Sequence, residues 1–160
     1  MVCLVLSFAV ACGSADQKAH PRRVPPEVVM PQDLSRYPAS SPQRALLLWF
    51  QAIQFKDLLA VKSLTSVREI QRVKWKTLRL AVNLVGASLR TPKLVSTRES
   101  GRTAAIRAFV HSPSTKTRDS ATLIPETFYL EKLHGNWKID DITYLLEESD
   151  AALAHDHQGQ

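Results

Sequence analysis

The amino-acid sequence predicts an α+β fold, in which N-terminal helices pack on one face of an antiparallel sheet of about four strands. Three observations lead to this class. Apolar residues recur at helical spacing up to about residue 89, and from residue 93 the chain is typical of short strands joined by turns. No period of about 20–50 residues repeats, which excludes a solenoid.

The composition indicates one globular domain rather than a disordered, fibrous or polytopic membrane chain. The 160 residues are 44% hydrophobic and 22% charged, with a formal net charge of +6. Two cysteines are too few for a disulfide framework or a cysteine-based zinc cluster.

The first residues are typical of an export signal. Residues 2–11, VCLVLSFAVA, are too short for a membrane-spanning helix, which needs about 20 residues, but they have the length of a signal-peptide core. Cys12 follows, and the stretch AVACG at residues 9–13 resembles a bacterial lipobox, in which the cysteine is lipidated and becomes the mature N-terminus. Two alternatives remain open: soluble secretion after cleavage at Ala11, or a buried N-terminal strand with an incidental cysteine.

These features divide the chain into four segments. A signal peptide covers residues 1–11, and Cys12 attaches a lipid on the extracytoplasmic face of a membrane. Residues 12–40 contain five prolines and are expected to form an extended tether. The alternative is an irregular segment wrapped on the domain, because Val28-Val29-Met30 is apolar. The folded domain covers residues 41–150, and residues 151–160 are expected to be a disordered tail.

Three helices are predicted in the first half of the domain. Ser41 is a good N-cap and Pro42 suits the first helical position, so the first helix begins there. Asp57 begins a second, short helix. Ser66 and Glu69 form a capping box at the start of a long third helix, whose apolar face comprises Val67, Ile70, Val73, Leu78, Ala81, Val82, Val85 and Leu89.

Four strands are predicted in the second half: residues 93–100, 103–111, 122–133 and 137–148. Pro125 cannot donate to a strand ladder, so we expect it at an edge or a bulge. If Phe128 and Leu130 face the helices, alternation directs Tyr129 and Glu131 away from them. By the same argument, Trp137 and Ile139 in the last strand face the core.

Two stretches resemble nuclear transport factor 2-like domains. SPQRALLLWFQAIQFKDLLAVKSL at residues 41–64 is similar to the paired opening helices of that family, and FYLEKLHGNWKIDDI at residues 128–142 is similar to its last hairpin. The resemblance implies a cone-like domain, in which a curved sheet wraps around helices and encloses a pocket. The family includes isomerases, dehydratases and cyclases, and also many members without catalytic activity.

An assembled catalytic pair is not evident in the sequence, so no catalytic residue is assigned. Arg107 and His111, on one face of the second strand, are the nearest approach to a polar pair in the pocket. The sequence His155-Asp156-His157 lies in the expected tail, so no metal site is predicted. No phosphate loop, nucleophile elbow or metalloprotease motif is present, and no cofactor is expected.

Charge is strongly segregated along the chain. Residues 41–118 hold 15 basic and 3 acidic residues, whereas residues 119–160 hold 2 basic and 9 acidic ones. Arg68, Arg72, Lys76 and Arg79, here called the basic stripe, are spaced four, four and three residues apart on the predicted long helix. The stripe is either solvated, or compensated by carboxylates of the last strand, or placed against an external anion, such as lipid head groups or an envelope polymer. Nucleic acid is not favoured, because of the export signal.

The sequence therefore predicts a non-catalytic envelope lipoprotein that binds a ligand or assembles with another envelope protein. The alternative is a small-molecule isomerase, dehydratase or cyclase that uses the cone pocket. An inward-facing carboxylate beside a tyrosine, histidine or aspartate would favour the enzyme, and an interior closed by side chains would favour the binding module.

Overall fold

The structure, a computed structural model, describes residues 28–111 and 123–156, without the side chains of the last two residues. These ranges form an α+β fold, as predicted, with six helices and a four-stranded sheet. The helices are α1 (Pro31–Ser35), α2 (Pro42–Gln54), α3 (Leu58–Leu64), α4 (Val67–Val73), α5 (Trp75–Val85) and α6 (Thr143–Asp156). The strands are β1 (Lys93–Ser100), β2 (Thr103–His111), β3 (Leu123–Leu133) and β4 (Asn136–Ile139).

The sheet is an antiparallel meander in the order β1-β2-β3-β4, and alternate residues are buried along β2 and β4 and at Phe128 and Leu130 of β3. Ile106 of β2 pairs with Phe128 of β3, and both side chains are buried. Tyr129, the next residue, is 52% exposed on the outer face. The predicted inward orientation of Phe128, Leu130, Trp137 and Ile139 is confirmed, since all four are buried.

The predicted helix starts are confirmed. The Ser41 hydroxyl accepts a hydrogen bond from the Arg44 N–H at 3.3 Å, and the Asp57 carboxylate accepts one from the Ala60 N–H at 3.0 Å. Ser66 likewise caps α4. The reciprocal half of its predicted capping box is absent, because the Ser66 N–H donates to the Ile139 carbonyl instead.

The predicted long third helix is interrupted at Lys74. This residue has φ 67° and ψ 136°, which no α-helix accommodates, so α4 ends at Val73 and α5 begins at Trp75. The expected apolar face is correct along α5, where Leu78 and Val82 are fully buried. It is wrong at the start of α4, where Val67 is 62% exposed.

The predicted last strand is also wrong beyond Ile139, because the chain forms α6 from Thr143 onward. Ile142, Leu145 and Ser149 are buried at spacings of three and four residues, which is the period of a helix rather than of a strand. The helix continues to Asp156 and so enters the range expected to be a disordered tail.

The segment before α2 packs on the domain. Val29 is 1% exposed, and its N–H and carbonyl bond to the side chains of Gln54 and Gln51, each at 2.9 Å. Leu34 of α1 is buried as well. From residue 28 onward the wrapped alternative therefore replaces the predicted tether. Cys12 and the remaining predicted tether and leader lie outside the described residues.

The ladder of backbone hydrogen bonds is irregular on both sides of the sheet. The register of β1 against β2 shifts between Leu94 and Ser96, which leaves Val95 as a bulge that is 54% exposed. The last strand, β4, pairs only with residues 130–133 of β3. Within the described residues, Pro125 therefore has no sheet partner on the β4 side, in agreement with its predicted edge position.

Among the described residues, no helix combines the length and the apolar character that crossing a bilayer requires.

Candidate binding site

An open cleft of about 480 Å³ lies between α4 and the end of the sheet. It exists because β4 ends at Ile139 while β3 continues, so that the chain leaves the sheet through Asp140 and Asp141. The Asp140 N–H donates to the Tyr129 carbonyl at 2.8 Å, and the Asp141 carboxylate accepts a bond from the Thr143 N–H at 2.9 Å. Both carboxylates line the cleft, together with Tyr129.

Arg68 joins α4 to the end of the sheet. Its guanidinium group forms an ion pair with Asp140, and the Ser66 hydroxyl donates to the same carboxylate at 2.9 Å. The Asp140 side chain is 15% exposed, whereas that of Arg68 is 70% exposed. Asp140 is thus held from two directions, while most of the Arg68 side chain remains accessible from the cleft.

Arg72 is bound by its own helix. Its Nε and Nη2 atoms donate to the two carboxylate oxygens of Glu69 at 2.9 and 2.6 Å, a bidentate arrangement that is stronger than a neutral hydrogen bond. This hydrogen bonding to Glu69, partly opposed by burial, raises the pKa of Arg72 above its ordinary value. Two of the Arg72 donors are therefore engaged within its own helix.

The basic stripe is not one continuous surface. Arg68 and Arg72 lie on α4, where each has a carboxylate partner, as the internal-compensation alternative requires. Lys76 and Arg79 lie beyond the break at Lys74, on α5, and are exposed. None of the ion pairs between described residues involves either of them. The cleft is lined by two guanidinium groups and three carboxylates, so it is not a simple anion site.

Arg107 and His111 share the outer side of β2 but lie at separate places along it. They are four residues apart, which places their backbones about 13 Å from each other along the strand. Arg107 is exposed opposite Thr127, and His111 is half-buried at the end of the strand opposite Leu123. The His111 carbonyl accepts a hydrogen bond from the Tyr144 hydroxyl at 3.2 Å.

Sequence reasoning missed a polar group on the inner face of the sheet. Glu126 lies two residues before Phe128, so alternation directs it toward the helices, where α6 carries Tyr144 and Glu148. Burial raises the pKa of Glu126, and the nearby Glu147 raises it further. Extending the alternation of Phe128 and Leu130 one step back would have identified Glu126, whereas Tyr144 was assigned to a strand.

The phenol of Tyr144 is enclosed by aromatic rings. Its ring centroid is 6.2 Å from that of Phe50 and 5.6 Å from that of Phe128, and Phe50 also contacts Trp49 edge-on. Burial raises the pKa of Tyr144 well above its ordinary value, and the carboxylates of Glu148 and Glu126 act in the same direction. The phenol is therefore neutral, and its single proton is directed to a backbone carbonyl.

Among the described residues, no group of three or more histidine, cysteine, aspartate or glutamate side chains is placed to hold a metal ion. The His155-Asp156-His157 side chains are outside the description.

Comparisons with known proteins support the fold only. No family model matches the chain, and no curated protein matches it in sequence. Solved structures with a similar fold include the solution structure of a SEC-C motif containing protein from Rhodopseudomonas palustris. The two chains are 14% identical, with a TM-score of 0.50 over 68% of this chain and 82% of that one.

Proposed function

We propose that this chain is a non-catalytic lipoprotein of the cell envelope, with a nuclear transport factor 2-like domain that binds a ligand or assembles with another envelope protein. The observation that carries the proposal is the aromatic cluster of Trp49, Phe50, Phe128 and Tyr144. These side chains fill the space between helix α2, the sheet and α6, where a cone-shaped enzyme would hold its substrate.

The position of the Tyr144 hydroxyl supports the same conclusion. Enzymes that stabilise an enolate need a hydrogen-bond donor aimed at the developing oxyanion. The Tyr144 proton is used in the bond to the His111 carbonyl, so this phenol has no second proton to donate to a substrate.

The cleft beside α4 is the favoured binding surface of the domain. Its volume of about 480 Å³ is in the range of small-ligand sites, roughly 300–1,000 Å³. Arg68 presents donors that its partner Asp140 does not use, and Tyr129 adds an exposed aromatic ring. A ligand with both a carboxylate and a cationic group would match this mixture of charges.

The anchor is tested by replacing Cys12. Cys12→Ser should move the protein from the membrane to the soluble fraction and abolish labelling by a fatty-acid analogue, because the thiol is the attachment atom. Cys3→Ser is the matched control, since Cys3 lies in the segment that is removed with the signal, and it should change neither result. Absence of label in the wild-type protein would contradict the proposal and leave soluble secretion after Ala11.

A second candidate, an isomerase, dehydratase or cyclase, is favoured by one observation, the inward-facing carboxyl of Glu126 with its raised pKa. If Glu126 is a catalytic base, a planar phenolate that resembles an enolate should raise the unfolding temperature of the wild-type protein, and that of Glu126→Gln at least as much, because the neutral amide resembles the protonated base and does not repel the phenolate. No shift in either protein would exclude this candidate.

A further inference from the structure

We infer that the face formed by α3 and α5 lies against an anionic lipid bilayer. This α3–α5 face comprises Phe55, Lys56, Leu59, Lys62, Lys76 and Arg79. The inference deepens the proposed function, since a lipid anchor would hold this face near a membrane, but it is tested without the anchor.

Two side-chain contacts bring the α2–α3 turn and the C-terminal half of α3 close to α5. The Lys62 Nζ lies 5.5 Å from the ring centroid of Trp75, the first residue of α5. At the other end, the Lys56 side chain lies against Gly86, at the C-terminus of α5. Arg79 is one turn beyond Trp75 on the same side of its helix, so the cations of the two elements share one surface.

Apolar side chains project from this surface. Leu59 is 79% exposed and Phe55 is 65% exposed, the two largest values among the large hydrophobic side chains of the described residues. They lie on either side of the turn that contains Lys56, and Leu59 is one turn before Lys62 on α3. Exposed phenylalanine and leucine beside lysine and arginine are typical of proteins that lie in the membrane interface.

The cations of the α3–α5 face are not neutralised within the described part of the chain. The ion pairs there involve Arg36, Arg68 and Arg72, and none involves a cation of this face. Asp57, the carboxylate in the α2–α3 turn, is engaged as the cap of α3. The acidic helix α6 also packs on α5, and its Glu147 and Asp150 are exposed.

The cations of the α3–α5 face therefore favour an anionic surface as its partner. The projecting apolar side chains favour a bilayer over a soluble polyanion. A polyanion would be bound by the cations alone, whereas a bilayer also accepts Phe55 and Leu59 between its head groups. Each basic side chain near an anionic membrane strengthens binding on the order of fivefold.

The test uses a chain that begins at Gly13 and so lacks Cys12. All the buried side chains of the described part lie between Val29 and Ser149, so this chain keeps that core complete. Its binding to vesicles of phosphatidylglycerol mixed with phosphatidylcholine is measured by co-sedimentation, beside pure phosphatidylcholine. We expect binding to the first only, weakening as salt rises, because the Debye length falls from about 10 Å at 0.1 M to about 3 Å at 1 M.

Two variants divide the electrostatic and apolar contributions. Lys76→Glu with Arg79→Glu should weaken binding at least about 20-fold, and Phe55→Ser with Leu59→Ser should weaken it at least about tenfold. The matched control, Arg98→Glu with Arg107→Glu, makes the same change of charge on the sheet and should change binding less than about twofold at 0.1 M salt. Thermal unfolding verifies that each variant is folded.

No binding by the wild-type chain would overturn the inference, as would wild-type affinity in either test variant or an equal loss in the sheet control. If vesicle binding is observed but fatty-acid labelling fails, only the anchor is refuted. Labelling without vesicle binding would refute this membrane-facing surface alone.

Discussion

Glu126 has a carboxyl group on the inner face of β3, where the next two inward positions, Phe128 and Leu130, are buried. Its folded pKa is raised, chiefly by burial and then by Glu147. The folded state therefore favours the protonated carboxyl. The stability gained from this preference is fully present below the unfolded-state pKa of about 4.3 and is lost as the pH rises through the higher folded-state pKa.

Glu126→Gln should accordingly stabilise the protein at neutral pH, because the amide carries no charge to bury. The advantage should shrink as the pH falls toward 4, where the wild-type carboxyl is largely protonated in both states. Thermal unfolding from about pH 4 to 7 measures the difference, with Glu131→Gln as a control from the opposite face of the strand. A variant less stable than the wild-type protein at pH 7 would contradict this assignment.

At the scale of the element, Lys74 separates α4 from α5 with a backbone conformation that side chains disfavour. Its φ of 67° with ψ of 136° costs roughly 1–3 kcal/mol for a residue with a Cβ. Lys74→Gly should relieve most of this cost and raise the free energy of unfolding by about 1 kcal/mol.

Lys74→Ala is the matched variant, because it removes the same side chain but keeps the Cβ. It should leave stability within about 0.5 kcal/mol of the wild-type value. Urea denaturation distinguishes the two substitutions. Equal effects of glycine and alanine would show that the lysine side chain, rather than the backbone, determines stability at this position.

The elements that the sequence predicted well are those with local signals. Ser41, Asp57 and Ser66 accept bonds within their own first turns, and alternation in β2 and β3 follows from one buried face. The break at Lys74 has no such signal, since the apolar period continues across it and tertiary packing determines the conformation. The start of α6 was missed because a short apolar run, TYLL, suits a strand and a helix equally.

The candidate site was less predictable than the elements, because its contacts join residues that are distant in the sequence. The pairing of Arg68 with Asp140 joins residues 72 positions apart, and it depends on where β4 ends. Charge segregation left three alternatives open for the basic stripe: solvent, carboxylates of the C-terminal third, or an external anion. The partner of Arg72, however, is Glu69 on the same helix, and only the geometry of α4 identifies it.

At the scale of the whole molecule, two tryptophans test the packing of helices on the sheet. Trp49 on α2 is fully buried and donates to the Thr65 hydroxyl at 3.1 Å, while Trp137 on β4 is 5% exposed and donates to the Ser40 carbonyl at 3.0 Å. Truncating either to alanine should cost about 3–5 kcal/mol, because the cavity adds to the lost transfer energy.

Trp75→Ala is the control, since Trp75 is only partly buried at the start of α5 and should cost clearly less. Chemical denaturation of the three variants gives the comparison. A loss below about 1 kcal/mol at both Trp49 and Trp137 would contradict the two-layer arrangement.

The edges of the sheet bear on how such chains behave when they are crowded on a surface. Exposed backbone at a sheet edge templates aggregation between copies, and tethering to a membrane would raise the frequency of such encounters. The bulge at Val95 kinks the ladder of β1, whose flanking Lys93 and Arg98 would repel the same edge of a second copy. On the other side, Pro125 supplies no N–H where β3 extends past β4. Two neighbouring copies would therefore form few continuous backbone hydrogen bonds between their sheet edges. We expect the molecules to stay separate even when they are densely packed on a surface.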